Sequence, residues 1–237
     1  MLILYYIYFF CVAAPILLTA TLLACIFTIV GTALGIAPLS YYPAKYWAWL
    51  FCVMSLVKVK VHGRENIDKN TSYVFVANHQ GAYDIFAVYG FLGHNFKWMM
   101  KKSLRKIFLV GYTCEKAGHI FVDRSSQSAI RRTIETAERR LRDGMSIVVF
   151  PEGERTMNGR MGRFKKGAYQ LALEFHLPLV PITIDGSYDV MPRWRKLPRY
   201  GTINLTIHHP IQAPATETDR EAVMDLTRQA IASALPS

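Results

Sequence analysis

Three short polar clusters in this chain carry the residue types that acid–base and phosphate chemistry need. The first is Asn78-His79-Gln80-Gly81-Ala82-Tyr83-Asp84, directly after the apolar run Tyr73 to Ala77. An imidazole titrates near neutrality and can act as a general base, and a nearby carboxylate fixes its tautomer and stabilises the imidazolium. The spacing constrains how the two meet. Five positions along a regular helix turn the chain by roughly 500°, which leaves the side chains about 140° apart. His79 must therefore sit in a turn and Asp84 in the first turn of a helix, and Gly81 suits the bend between them. The second cluster is Asp123-Arg124, and the third is Pro151-Glu152-Gly153-Glu154-Arg155-Thr156. The guanidinium groups of Arg124 and Arg155 match phosphate oxygens bidentately. One His/Asp pair alone is more often the polar cap of a strand; three clusters at three strand ends fit a site, because ligands of open α/β sheets bind there.

The elements that must position these clusters follow from periodicity. Val57, Val59 and Val61 alternate with Lys58, Lys60 and His62, which predicts a strand. Tyr73–Ala77 predicts a second strand feeding a helix over Asp84–Phe91. Gly118–Val122 reads as a short strand. Ser125 or Ser126 then caps a helix whose apolar positions are Ile130, Ile134, Ala137 and Leu141, and Asp143-Gly144 stops it. Strands are expected over Ser146–Phe150, Leu179–Ile184 and Thr202–Ile207, with a helix over Gly167–Phe175 between the first two. Thr218-Asp219-Arg220-Glu221 has the form of a capping box, with Val223, Leu226, Ala230 and Ile231 on the inner side of the helix it opens. Lys97 to Lys106 is a basic patch with Lys101, Lys102, Arg105 and Lys106, either a solvated charged face or a part of the site. His208-His209-Pro210 lacks metal-ligand spacing and reads as the end of a strand. The fold class is α/β, and everything after about residue 56 reads as one domain.

Composition adds a membrane. Of the 237 residues 51% are hydrophobic and the formal net charge is +11, yet no charged side chain occurs before Lys45. Leu2 to Ala37 exceeds the roughly 20 apolar residues that cross a bilayer core. It lacks the basic start of a secretory signal, so it reads as a retained anchor. Pro15 is expected to kink it, and Gly35 and Pro38 to end it. Tyr41, Tyr42, Tyr46, Trp47 and Trp49 form an interfacial aromatic belt, and Trp47 to Val57 a short second helix that dips into one leaflet. Lys58, Lys60 and Arg64 then place the body in the cytoplasm by the positive-inside tendency, at the inner membrane. Basicity alone fits nucleic acid equally well, but there is no nucleic-acid-binding motif, and the apolar leader would go unexplained. The four cysteines are scattered without a CxxC pair, as buried thiols in a reducing compartment are.

Taken in order, these blocks resemble the glycerophospholipid acyltransferases, in particular the 1-acyl-sn-glycerol-3-phosphate acyltransferases. That family's NHxxxxD block stands here as Asn78-His79…Asp84, and its Gly-x-[IF]-[FIV]-x-R block as Gly118 to Arg124. FPEGxR[ST] stands as Phe150 to Thr156, and the Val-Pro-[IV] strand as Val180-Pro181-Ile182. Phe164-Lys165-Lys166-Gly167-Ala168 is also similar, and the likeness covers roughly residues 58 to 210. Where the family often carries Lys-x-Glu-Leu and a following proline, this chain has Lys101-Lys102-Ser103-Leu104 and Phe108.

The resemblance implies a mixed central sheet flanked by helices, with membrane-anchoring helices over 1–56 and a catalytic domain over 57–237. It implies transfer of an acyl group from acyl-CoA or acyl-carrier protein to the sn-2 hydroxyl of lysophosphatidate, with no metal and no cofactor. His79 is the candidate base and Asp84 its orienting partner. Arg124 and Arg155 are the candidate phosphate ligands. Glu152 orients Arg155 or receives the acceptor's hydroxyl. The N–H of Gly153, with Lys101, is the candidate oxyanion donor. With no Gly-x-Ser-x-Gly elbow and no Cys beside a motif His, direct attack by the acceptor is expected rather than an acyl-enzyme. Val180-Pro181-Ile182 lines either an acyl channel or the sheet core. Rival readings keep the chemistry but change the acceptor (glycerol 3-phosphate, another lysophospholipid or a lyso-aminolipid), or make the chain a non-catalytic binder of anionic lipid.

Overall fold

The uncharged leader has no side-chain reason to leave the helix, and only Pro15 disturbs it. In the computed structural model, which describes residues 1–123, 125–142 and 145–236, it is helical almost throughout. Helix α1 (Leu2–Tyr8) passes through a π-helical turn (Phe9–Ala13) into α2 (Ala14–Ala33). Pro15 lacks an N–H and its ring crowds the carbonyl four residues back, and the widened turn accommodates both. The expected kink is therefore a π turn. Among the described residues Leu2–Ala33 is the one helical stretch long and apolar enough to cross a membrane. Gly35, at φ +70°, reverses the chain, and Pro38 stands in the first turn of α3 (Ala37–Met54).

That helix differs from the expectation of an aromatic belt followed by a short helix from Trp47. It is one continuous 18-residue helix that begins ten residues earlier, because proline in a first turn is pre-set to the helical φ. Helices α2 and α3 lie in close contact. A Cβ on Gly31 would stand 2.5 Å from the Leu39 carbonyl carbon, and Trp47 Nε1 donates to Thr21 Oγ1 at 2.8 Å. Tyr41, Ala48 and Cys52 are buried in the same core as the sheet, so this helix is packed onto the body rather than tethered to it.

Seven strands form one sheet. In chain order they are β1 (Val57–His62), β2 (Val74–Ala77), β3 (Phe96–Lys101), β4 (Ile120–Val122), β5 (Ser146–Val149), β6 (Leu179–Asp185) and β7 (Gly201–Ile207). Helix α4 (Tyr83–Phe91) follows β2, α5 (Val110–Lys116) precedes β4, and α6 (Gln127–Arg142) precedes β5. Helices α7 (Gly167–Phe175), α8 (Ser187–Val190) and α9 (Asp219–Ser233) complete the chain. The spatial order is β1-β7-β6-β2-β5-β3-β4, parallel except at the antiparallel β6/β7 pair, as a mixed sheet requires. Alternation sorts the side chains. Phe75, Ala77 and Val148 face α3 and α4, while Val74, Val76, Ile147 and Val149 face α7 and α9. Val180 and Ile182 are fully buried in the first of these layers, which decides the core reading for Val180-Pro181-Ile182. Pro181 is tolerated because the antiparallel neighbour of β6 changes there, from a bridge between Leu179 and Ile211 to pairing with β7 from Ile182.

Several expectations need correction. Lys97–Lys101 belongs to β3, an interior strand with Phe96 and Trp98 buried, so the solvated part of the patch is Lys101 and the 3-10 turn Lys102–Lys106. On α6 the buried residues are Ala129, Thr133 and Ala137, while Ile130 is exposed, since small side chains bring the helix close to the sheet. Ser126 Oγ, not Ser125, caps it by accepting from Ala129 N–H at 3.1 Å. The stop at Asp143-Gly144 and the Leu141 side chain lie outside the described residues. The cap of α9 is formed by Thr216 and Asp219, each accepting the other's backbone N–H, at 3.3 and 3.0 Å. Glu221 instead pairs with Lys166 Nζ at 2.9 Å, and Leu226 is exposed.

The chain leaves β2 toward β3 on one side and leaves β5, by way of α7, toward β6 on the other. The β2/β5 boundary is thus a topological switch point, and the loops after both strands border the same crevice. Asn78 ties this edge together. Its Nδ2 donates to the Ile184 carbonyl at 2.9 Å and its Oδ1 accepts from Ile184 N–H at 2.8 Å, with the residue 1% exposed. Asn78→Ala strands two buried backbone groups and is expected to cost at least about 2 kcal/mol, read as a lowered thermal midpoint.

Candidate active site

The dyad is built from the turn outward. Asp84 lies in the first turn of α4 and His79 in the loop before it, and His79 Nδ1 stands 2.7 Å from Asp84 Oδ2. The same oxygen accepts the N–H groups of Gln80 at 2.7 Å and Gly81 at 2.9 Å. Oδ1 accepts the hydroxyl of Ser187, at the start of α8. A fully buried carboxylate is thereby given four donors, the arrangement in which a buried charge is tolerable. Gly81 is close-packed against the carbonyls of Ser187 and Met191, and Ala82 N–H donates to Met191 O at 3.0 Å, so α8 clamps the turn.

His79 is held on every other side as well. Its N–H donates to Glu152 Oε1 at 2.7 Å, and its carbonyl accepts from Thr156 N–H at 2.9 Å. Its ring stacks on Phe150 with centroids 4.0 Å apart and planes 9° apart, and Phe150 stacks in turn on Trp98 at 5.4 Å. With Nδ1 given to Asp84, Nε2 is the nitrogen left for a reactant, and the side chain keeps 13% of its surface open.

Glu152 does not orient Arg155, the first of the two parts expected of it. Its second oxygen, Oε2, accepts Gly162 N–H at 2.6 Å, so both oxygens hold backbone and neither holds Arg155. Burial pushes its carboxyl pKa up, with the two backbone N–H groups pulling it back. Gly153 also differs from expectation. Its N–H closes a turn onto the Phe150 carbonyl at 3.0 Å and is spent there, not held ready for an oxyanion. Its φ of +78° and missing side chain instead leave room for Lys165, whose Nζ would lie 2.6 Å from a Cβ at that position. Asp123 pairs with Lys102 Nζ at 2.5 Å, and that ammonium holds its carboxyl down at about 2. Arg124 lies outside the described residues.

One cavity of about 910 Å3 joins these parts. His79, Lys101, Gly153, Arg155 and Lys165 line one part of it, together with Arg193, which pairs with Glu154 at 2.8 Å. Apolar side chains line it too, among them Phe86, Tyr89 and Met100 of the body and Ala24, Cys25 and Trp47 of α2 and α3. Sequence reasoning missed Ser187, Lys165 and Arg193. A polar residue directly after β6, at the same sheet edge as the other clusters, was the available signal for Ser187. Among the described residues no group of three or more His, Cys, Asp or Glu could hold a metal ion.

Comparison with known proteins agrees with this architecture. Residues 58–185, more than half of the chain, match the family model described as Acyltransferase, and the chain belongs to that family. The chain is similar to the 1-acyl-sn-glycerophosphate (LPA) acyltransferase PlsC of Thermotoga maritima, whose crystal structure superposes with a TM-score of 0.78. That match has 26% identity over 97% of this chain and 92% of the other. A 1-acyl-sn-glycerol-3-phosphate acyltransferase of Chlamydomonas reinhardtii is 32% identical over 76% of this chain, which spans about half (53%) of that relative's length. An uncharacterized acyltransferase of Schizosaccharomyces pombe is 31% identical over 80% of this chain and 68% of its own.

Ser187→Ala leaves the Asp84 carboxylate one donor short in a buried site. The expected cost is about 1–3 kcal/mol in stability, measured by thermal unfolding, with Ser187→Thr recovering most of it.

Proposed function

We propose that this protein acylates the sn-2 hydroxyl of lysophosphatidate, giving phosphatidate, with acyl-CoA or acyl-carrier protein as donor. The observation that carries the reading is the clasped His79–Asp84 pair, with His79 lining a cavity whose walls carry both cationic and apolar side chains. Cations suit a phosphate, and the apolar side chains suit acyl chains.

In this reading Nε2 takes the proton of the acceptor hydroxyl as its oxygen attacks the thioester carbonyl. Asp84 holds Nδ1–H and stabilises the imidazolium that forms, as the acidic member of a catalytic triad does. The tetrahedral intermediate collapses by breaking the C–S bond, and the proton on Nε2 leaves with the thiolate. No covalent enzyme intermediate is required. Arg155 and Lys165 bind the phosphate, and Arg155 thereby keeps the part its guanidinium suggests. Lys101, which lines the same cavity, stabilises the developing oxyanion, whereas the Gly153 N–H is engaged by the Phe150 carbonyl. Glu152 acts through the backbone of His79 as a positioning residue. Helices α1–α3, residues 1–56, anchor the protein in the inner membrane, and the basic start of the body, from Lys58 through Arg64, keeps the catalytic part on the cytoplasmic side.

His79→Ala is expected to lower turnover by about 10²–10⁴ in folded protein. Wild-type turnover in that variant would remove His79 as the base, and hydroxylamine-sensitive acyl label on the enzyme after a single turnover would remove direct transfer. Membranes each carrying one defined lysolipid, offered with one labelled thioester, check the acceptor. Preference for glycerol 3-phosphate or a lyso-aminolipid would replace lysophosphatidate while leaving the chemistry intact.

A further inference from the structure

We propose that the segment Lys102–Tyr112 is a second membrane-inserting element, separate from the helical anchor, which dips Phe108 into an anionic phospholipid surface at the rim of the cavity. The proposal rests on the membrane reading of α1–α3.

Four observations converge on it. The segment displays Leu104, Ile107, Phe108 and Tyr112 to the outside, and Phe108, at 92% exposure, touches almost nothing in the protein. Single exposed apolar residues are ordinary, but four within nine consecutive positions, from the 3-10 turn into α5, make a patch. Lys102, Arg105 and Lys106 lie in the same stretch, the complement of an anionic lipid surface. Arg105 is paired with Glu115 and Lys102 with Asp123, both at the surface, while Lys106 has no ion pair among the described residues.

The backbone is forced outward at this point. Leu109 sits at φ +60° and ψ −51°, and Val110 N–H donates to the Phe108 carbonyl at 2.6 Å. That is the rarer, strained hand of the γ-turn, and a leucine has no conformational reason to adopt it. Behind it Gly111 presses against the carbonyls of Leu104 and Arg105, and Gly111 N–H donates to Ile107 O at 2.8 Å, which braces the bulge from inside. The protein thus holds an unfavourable turn whose visible result is an apolar side chain in the open.

Position supplies the last link. Leu104, Ile107 and Val110 line the same cavity as Ala24 and Cys25 of α2, so the segment stands beside the anchor across the cavity. Helix α2 exposes Leu22, Leu23, Ile26 and Phe27 to its surroundings. A bilayer that covers those residues meets Phe108 next. The segment therefore forms the lipid-side rim over which a lysolipid slides from the bilayer toward His79.

The test uses the full chain in proteoliposomes containing phosphatidylglycerol, with Phe108→Trp compared against wild type. Bromine-labelled lipids are expected to quench the added indole emission, and acrylamide to quench it in detergent but not in the bilayer. Trp47 and Trp49, on the anchor, are the internal control, with the exposed Trp194 replaced by Phe in both proteins and the buried Trp98 a constant background. Added emission that stays acrylamide-accessible while the native signal is bromine-quenched overturns the insertion and leaves the patch for a protein partner. Failure of both signals refutes the anchor reading instead. Phe108→Asp is expected to raise KM for bilayer-borne lysophosphatidate about tenfold without changing kcat on a short-chain, water-soluble acceptor. Equal loss on both acceptors would make Phe108 a folding residue and end the proposal.

Discussion

The Asp84 carboxylate, buried without a counter-cation of its own, is the constraint on which the rest of the site depends. A bare charge there is prohibitively costly, and its four donors come from three places: the His79 ring, the backbone of the turn, and Ser187 after β6. Satisfying it therefore fixes the turn, the tautomer of His79 and the docking of α8 together. Glu152 repeats the device on the opposite side, holding the backbone of His79 and of Gly162 with its two oxygens. Two buried carboxylates, each wrapped in N–H groups, thus lock the loops after β2 and β5 into one unit. The imidazole ends up immobile except at the one nitrogen that faces the cavity.

Sheet and dyad were largely legible because both obey short-range rules. Alternating valines mark β1, continuous apolar runs mark β2, β5 and β6, and the five-residue spacing of His79 and Asp84 already demanded a turn followed by a helix. What escaped notice was decided at longer range. Strand β3 was obscured by Lys97 and Lys101, which sit on a strand whose Phe96 and Trp98 are buried. The α9 cap slipped by two residues because Thr216-x-x-Asp219 and Thr218-x-x-Glu221 carry equivalent signals, and Lys166, more than fifty positions away, takes Glu221 out of the competition.

The roles of Glu152 and Gly153 show the same limit inside the site. A carboxylate two residues before an arginine invites an ion pair, yet the buried N–H groups of His79 and Gly162 are the more demanding partners. Unpaired they would each cost the full desolvation of a peptide donor, whereas Arg155 is half-exposed and partly served by water. The glycine, likewise, is explained by the space it leaves. Its neighbour in that space, Lys165, comes from the next loop, and no local pattern within Phe150–Thr156 points to it.

The cavity wall explains why the helical leader cannot be regarded as a detachable tether. Residues of α2 and α3 line the same chamber as His79, and α3 is buried in the same apolar layer as β2 and β6. A tether would transmit only proximity to the lipid surface; a shared wall transmits position. Any shift of α2 against the body moves Ala24 and Cys25 relative to Met100 and Phe86, and so changes the apolar space that ends at the imidazole. The helical leader thus sets the shape of the site, and the strained turn at Leu109 lies between Ile107 and Val110, which line the same cavity.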